Sequence, residues 1–208
     1  MSLQFSSQTC RSHRSSRREA GRKKTLGLCL ILAGAGALFS IRGRTSPALA
    51  QAGGPPSFEI QTTAFKPGGD IPKKFTCAGA NVSPALRWTG PPAGTESFAL
   101  IMDDPDAPMG TWVHWVAYDL PAGKRQLPEG APKGDDLQGG GQQGRNDFPE
   151  VGYGGPCPPP GKPHRYYFKL YALDKKLDLK AGATKREVEQ AMKGHVLAKA
   201  EIMGRYGR

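Results

Sequence analysis

Three carboxylates fall within four residues at Asp103, Asp104 and Asp106, and Pro105 and Pro108 stiffen the run that carries them by fixing φ. His114 follows on an alternating stretch, and a second histidine, His164, opens another. A carboxylate near an imidazole favours the charged ring. Between the histidines lies Gly154-Gly155-Pro156, where glycine lets a ligand approach bare backbone N–H groups closely. Imidazoles, glycine N–H groups and a tyrosine hydroxyl are all hydrogen-bond donors. Brought together they describe an anion pocket of phosphate size. Asp104 and Asp106 would orient and charge the histidines there, or receive an ammonium group on the same ligand.

The elements that must position these residues read mostly as strands. Ser97–Met102 is an apolar run, as expected of a central strand buried on both faces. Two prolines and a carboxylate cluster cannot continue such a strand, so the chain turns at a rigid rim and re-enters. In the re-entering strand Trp112, His114, Val116 and Tyr118 share one face, and Val113, Trp115 and Ala117 the other. The clearest strand is 164–173, with His164, Tyr166, Phe168, Leu170 and Ala172 on one face. Phe58–Thr62 reads as an edge strand, Lys73–Thr76 as a short strand, and Leu86 and Trp88 share the face of another. Residues 124–163 lack periodicity and are rich in glycine and proline, as functional loops are. Thr184-Lys185-Arg186-Glu187 is a capping box opening a helix, with Val188, Ala191, Met192 and His195 on one stripe. Lys199–Tyr206 returns as a strand. The expected class is a β-rich sandwich with small helical additions.

Charge and composition divide the chain in two. Nine of its 29 Lys and Arg residues and one of its 18 acidic residues lie in 1–50, leaving 20 and 17, a near balance, in the remainder. With no basic run interleaved with aromatics beyond residue 50, nucleic-acid binding is not expected. The leader has a basic region from Arg11 to Lys24, an apolar run from Leu26 to Ile41, and Ala48-Leu49-Ala50, the pattern of an export signal cleaved after Ala50. The alternative is an uncleaved N-terminal anchor. Residues 1–50 are therefore expected to be a removed signal peptide, 51–57 a Gly/Pro-rich tether, and 58–208 the domain of an exported, periplasmic or secreted protein. Cys77 and Cys157 remain in that domain. They form either a disulfide that export would preserve or two separate buried thiols.

Asp104-Pro105-Asp106-Ala107-Pro108 with His114, and Gly155-Pro156-Cys157-Pro158-Pro159 with Gly161 and His164-Arg165-Tyr166, resemble the two signature blocks of the phosphatidylethanolamine-binding protein family. The closer likeness is to its bacterial, Raf-kinase-inhibitor-like branch, which Phe75-Thr76-Cys77, Asn81-Val82-Ser83-Pro84, Leu86-Arg87-Trp88 and Ala172-Leu173-Asp174 also resemble. The resemblance covers Phe58 to Tyr206. It implies a mainly β fold, a Greek-key β-sandwich with a short C-terminal helix. It also implies a pocket for phosphate-like anions lined by Asp104, Asp106, His114, Gly155, Pro156 and His164. The expected function is non-enzymatic binding of an anionic or phosphorylated small molecule, with peripheral contact to lipid head groups and no cofactor or metal. Two alternatives are an envelope interaction module such as a serine protease inhibitor, and a phosphoester hydrolase using the Asp and His residues. Tyr206 does not align with the tyrosine of the C-terminal helix that closes the pocket in animal members, so their partner surfaces are not carried over.

Overall fold

The computed structural model describes residues 57–208. The expected signal peptide, its cleavage after Ala50 and all of the tether but Ser57 lie outside the described residues. Eight strands and one helix follow in order: β1 (Glu59–Gln61), β2 (Leu86–Thr89), β3 (Ser97–Asp104), β4 (Trp112–Pro121), β5 (Gln126–Leu127), β6 (Gln142–Gln143), β7 (His164–Leu173), α1 (Lys185–Ala191) and β8 (Val196–Tyr206). They form two antiparallel sheets, one ordered β1-β2-β5 and the other β6-β4-β3-β7-β8.

β3 sits at the centre of the larger sheet and is buried along its whole length, because each of its faces has a different cover. On one face Phe98, Leu100 and Met102 join Trp115, Phe168 and the small sheet's Leu86 and Trp88 in the main core. On the other, Ala99 and Ile101 pack with Val116, Tyr118, Val188 of the helix and Met192 at its C-terminal cap. Alternating side chains of one strand thus fill two hydrophobic layers.

The helix is only seven residues long and needs tertiary support. Its Thr184–Glu187 capping box forms as expected. Asp103, fully buried on β3, accepts from Lys169 Nζ of β7 at 2.7 Å and from Lys185 Nζ at the helix start at 2.8 Å. This paired buried charge ties the helix to the sheet. The last element is β8, so the helix precedes a final strand, and that strand begins at Val196, three residues before the sequence suggested.

Lys73–Phe75 is a 3-10 turn and not the expected strand. The Thr76 N–H and hydroxyl both return to the Lys73 carbonyl, at 3.0 and 2.9 Å, which closes the chain locally and leaves nothing for a ladder. The long segment 124–163 is held by two buried amides. Gln143 accepts from Trp115 Nε1 at 2.8 Å and donates to the carbonyls of Pro132 and Gly134. Asn146 donates to Gly152 and accepts from the N–H groups of Phe148 and Glu150. Side-chain amides here satisfy the backbone groups that no strand supplies with partners.

Candidate functional site

The register between β3 and β4 breaks at the first histidine. Met102 faces Trp115 and Asp103 faces Val113, so His114 is an extra residue without a partner on β3. A bulge of this kind re-aims one side chain. Here it moves Val113 onto the face of Val116 and Tyr118, and turns His114 to stack edge-on against Tyr166 of the main core, ring centres 5.1 Å apart. The expected face shared by Trp112, His114, Val116 and Tyr118 is therefore corrected. A strict two-residue period cannot cross an inserted residue.

His114 is buried, and its Nδ1 lies 2.7 Å from the carbonyl of Gly154. A carbonyl only accepts, so the proton is on Nδ1 and the neutral ring turns its Nε2 lone pair away from Gly154. Burial pulls the pKa of this ring below its ordinary 6.5, outweighing the opposing pull of the Gly154 carbonyl and the Asp104 charge. Removal from water disfavours the charged form. The resting state is thus a neutral imidazole, not the charged ring that the sequence suggested.

His164 takes the opposite arrangement. Its Nδ1 is 2.8 Å from Oδ2 of Asp104, and Oδ1 of Asp104 accepts the Asp106 N–H at 2.8 Å. Asp104 is almost fully buried, so both of its oxygens have partners where an unpaired carboxylate would be costly. The end of β3, the proline rim and the start of β7 are joined through this one side chain.

Asp104, His114 and His164 all line one cavity of about 170 Å³. The other proposed pocket residues stand outside its wall. Asp106 is engaged by Arg165, whose Nη2, Nε and backbone N–H lie 2.6, 2.9 and 2.9 Å from its oxygens; the guanidinium holds its pKa down to about 2, against some opposition from burial. Gly155 donates its N–H to Asn81 Oδ1 at 2.8 Å, and a Cβ there would meet the Phe75 carbonyl at 2.4 Å. Its glycine serves close packing of two chain segments and not a ligand. Gly154 N–H bonds to the His114 carbonyl, and the Pro156 carbonyl accepts from Cys77 N–H. The tyrosine of this loop, Tyr153, donates to the Phe75 carbonyl. The N–H groups of Gly154 and Gly155 are therefore both taken by the protein itself. His195 pairs with Asp174 at the surface.

The rest of the wall is apolar, and most of it was not foreseen. Trp112 and Phe148 pack edge-on at 5.4 Å, and Phe148 packs likewise on His114. Pro108, Cys157 and Pro158 complete this side. Trp112 is next but one to His114, which was a usable clue; Phe148 lies in a patternless loop and offered none. Cys77 and Cys157 form a disulfide, with Cα atoms 5.4 Å apart. Among the described residues, no three His, Cys, Asp or Glu side chains gather to hold a metal ion.

Two antiparallel sheets with a small histidine- and aspartate-lined hollow at one end of the larger sheet define a ligand-binding β fold. The family model for phosphatidylethanolamine-binding protein matches residues 61–207, and the chain belongs to that family. It is 51% identical over 152 residues to a UPF0098 protein of Aquifex aeolicus, covering 72% of this chain and 88% of the relative. A UPF0098 protein of Methanothermobacter thermautotrophicus is 50% identical over 149 residues, with coverage of 72% and 98%. Among solved structures, the phosphatidylethanolamine-binding protein homologue CT736 of Chlamydia trachomatis matches with a TM-score of 0.67 and 40% identity, over 73% of this chain and 98% of its own. YbcL of E. coli, described as a member of the mammalian family, matches with a TM-score of 0.67 and 36% identity, over 74% and 99%.

Proposed function

We propose that the chain is an exported, non-enzymatic binder of phosphate-like anions or phosphorylated small molecules, lipid head groups among them. The convergence of His114 and His164, from two different strands, on one small cavity carries this reading. Neither Nε2 has a hydrogen-bond partner within the described residues, so each ring has one nitrogen left for a ligand. His164 can donate from Nε2 while Asp104 holds its Nδ1–H. For His114 to donate to the anion as well, its ring must take up a proton as the anion binds. Affinity is therefore expected to rise as pH falls.

The cavity is below the ~300–1,000 Å³ of sites for drug-sized ligands, which favours a head group or small anion over a bulkier molecule. Its aromatic and proline walls lower the local dielectric and strengthen each charged hydrogen bond made inside. Covalent hydrolysis through a protein nucleophile is disfavoured, because among the described residues no serine, threonine or tyrosine lines the cavity and its one cysteine is held in a disulfide.

Calorimetric titration of inorganic phosphate and phosphoethanolamine, at pH 6 and pH 8, tests the reading. Saturable binding that is weaker at pH 8 and lost in His114→Ala is expected; equal affinity in both proteins rejects it. Export rests on the basic and apolar leader and its Ala48-Leu49-Ala50 site. N-terminal sequencing of protein recovered from the envelope is expected to begin at Gln51, and a chain beginning at Met1 would contradict cleavage.

A further inference from the structure

We propose that the Cys77–Cys157 disulfide is a thiol-exchange site whose reduction opens the cavity wall and releases its ligand. The proposal rests on the anion-binding reading of that cavity, and concerns its regulation.

Cys157 is part of the wall, with Pro158 and Pro159 beside it. It lies in the run Pro156-Cys157-Pro158-Pro159-Pro160, and proline has no N–H. Five consecutive residues therefore carry one backbone donor between them, that of Cys157, and it makes no hydrogen bond within the described residues. Such a segment cannot join a ladder or hold itself by a donor network. Two acceptors anchor it: the Pro156 carbonyl takes the Cys77 N–H at 3.1 Å, and the Pro158 carbonyl takes Arg208 Nε at 2.6 Å. The third anchor is covalent, the bond to Cys77. This wall depends on a disulfide because its sequence removes the usual alternative.

The two sulfurs belong to residues of unequal access. Cys77 is exposed, in an exposed turn that continues through Ala80, whereas Cys157 is half-buried. An incoming thiolate from a dithiol reductant therefore meets Cys77 first. Its sulfur bonds to Cys77 Sγ, the Cys77–Cys157 bond breaks, and Cys157 leaves as a thiolate that takes a proton. The reductant's second thiolate then attacks its own sulfur in the mixed disulfide and frees Cys77. Two electrons pass to the protein, which ends with two thiols, and the reductant ends as a disulfide. With the covalent anchor gone, Pro158 and Pro159 move off the cavity, and Trp112, which lines it with them and is only half-buried, becomes more accessible. Disulfides persist in oxidising compartments and are reduced in the cytosol, so the cavity would be complete only on the oxidising side of a membrane.

The test titrates inorganic phosphate into oxidised, dithiothreitol-reduced and reoxidised protein, with acrylamide quenching of tryptophan fluorescence and far-UV circular dichroism on each. Trp88 and Trp115 are buried, so among the chain's three tryptophans a gain in quenching reports Trp112. Expected are an unchanged far-UV spectrum, stronger quenching, and affinity reduced about tenfold or more on reduction, all restored by reoxidation. A Cys77→Ala, Cys157→Ala double variant should behave as the reduced protein. Equal phosphate affinity and equal quenching in both redox states would overturn the proposal while leaving the anion site standing. Loss of the far-UV signal on reduction would also overturn it, making the bond a staple of the whole fold. Should oxidised protein bind no phosphate, the anion reading fails, and the proposed release of ligand fails with it; the quenching then reports only whether the bond holds the wall shut.

Discussion

Asp104 and His164 stand 2.8 Å apart, carboxylate Oδ2 to ring Nδ1, at the junction of the central strand's end and another strand's first residue. The same carboxylate takes the Asp106 N–H through Oδ1. One buried side chain thus fixes both the ring that faces the cavity and the turn that forms its rim. Replacing it with alanine leaves two donors without their partner, at a cost on the order of 1–3 kcal/mol. Chemical denaturation of Asp104→Ala should show this loss, together with phosphate affinity weakened about tenfold or more as His164 loses its fixed orientation. Wild-type stability and affinity in the variant would mean that the pair organises nothing.

His114 links the site to the stability of the fold. Its folded pKa lies below the ordinary 6.5 because burial disfavours the charged ring. As pH falls, the unfolded chain binds this proton before the folded one does. The contribution of the ring to stability is therefore complete above about pH 6.5 and declines as pH drops below it. Urea unfolding between pH 5 and pH 8 should show that decline in the wild type, and a shallower slope in His114→Gln. Equal slopes would indicate that the buried ring titrates normally.

Asp106, expected from the sequence to line the pocket, belongs instead to an outward pair with Arg165. Arg165→Ala should let the Asp106 carboxyl rise from about 2 toward its ordinary 3.8, read by carboxyl carbon NMR. The stability that this depressed pKa contributes is present above about 3.8 and lost as pH falls through about 2. Because Asp106 is absent from the cavity wall, Asp106→Asn should change phosphate affinity by no more than about twofold, in keeping with the small effects of exposed pairs. A tenfold loss would return Asp106 to the site.

Gly155 makes a packing claim. A methyl group there would sit 2.4 Å from the Phe75 carbonyl and 2.6 Å from Asn81 Oδ1, closer than backbone can yield without moving. Gly155→Ala should lower stability by about 1–3 kcal/mol, the usual range for overpacking. Thermal melts that coincide with the wild type would show that the two segments have room to part.

Much of the fold could be read in advance, because hydrophobic period follows burial wherever a strand has one regular partner on each side. The strand from His164 kept its alternation over ten residues, and Ser97–Met102 was recognisable as central because both its faces are apolar. The capping box at Thr184 forms from local chemistry alone. The site was only partly legible. Asp104 and both histidines do converge, but across β3, which lies between the two histidine-bearing strands, and the sequence does not show that strand order. The bulge at His114 was hidden, since an inserted residue leaves no trace in composition and shows only in the partner strand's register. Glycine misled for a related reason: Gly155 signals close approach, but of Phe75 and Asn81 and not of a ligand. Phe148 reached the cavity from a loop held by buried amides, a kind of order that periodicity does not encode.

The convergence of the two imidazoles on one ligand is most directly tested by nitrogen-15 NMR of the histidine rings during a titration with inorganic phosphate. The Nε2 resonances of His114 and His164 should shift together and saturate with a single Kd, while those of His195 stay still. Independent responses of the two rings, or a response from neither, would contradict a shared site.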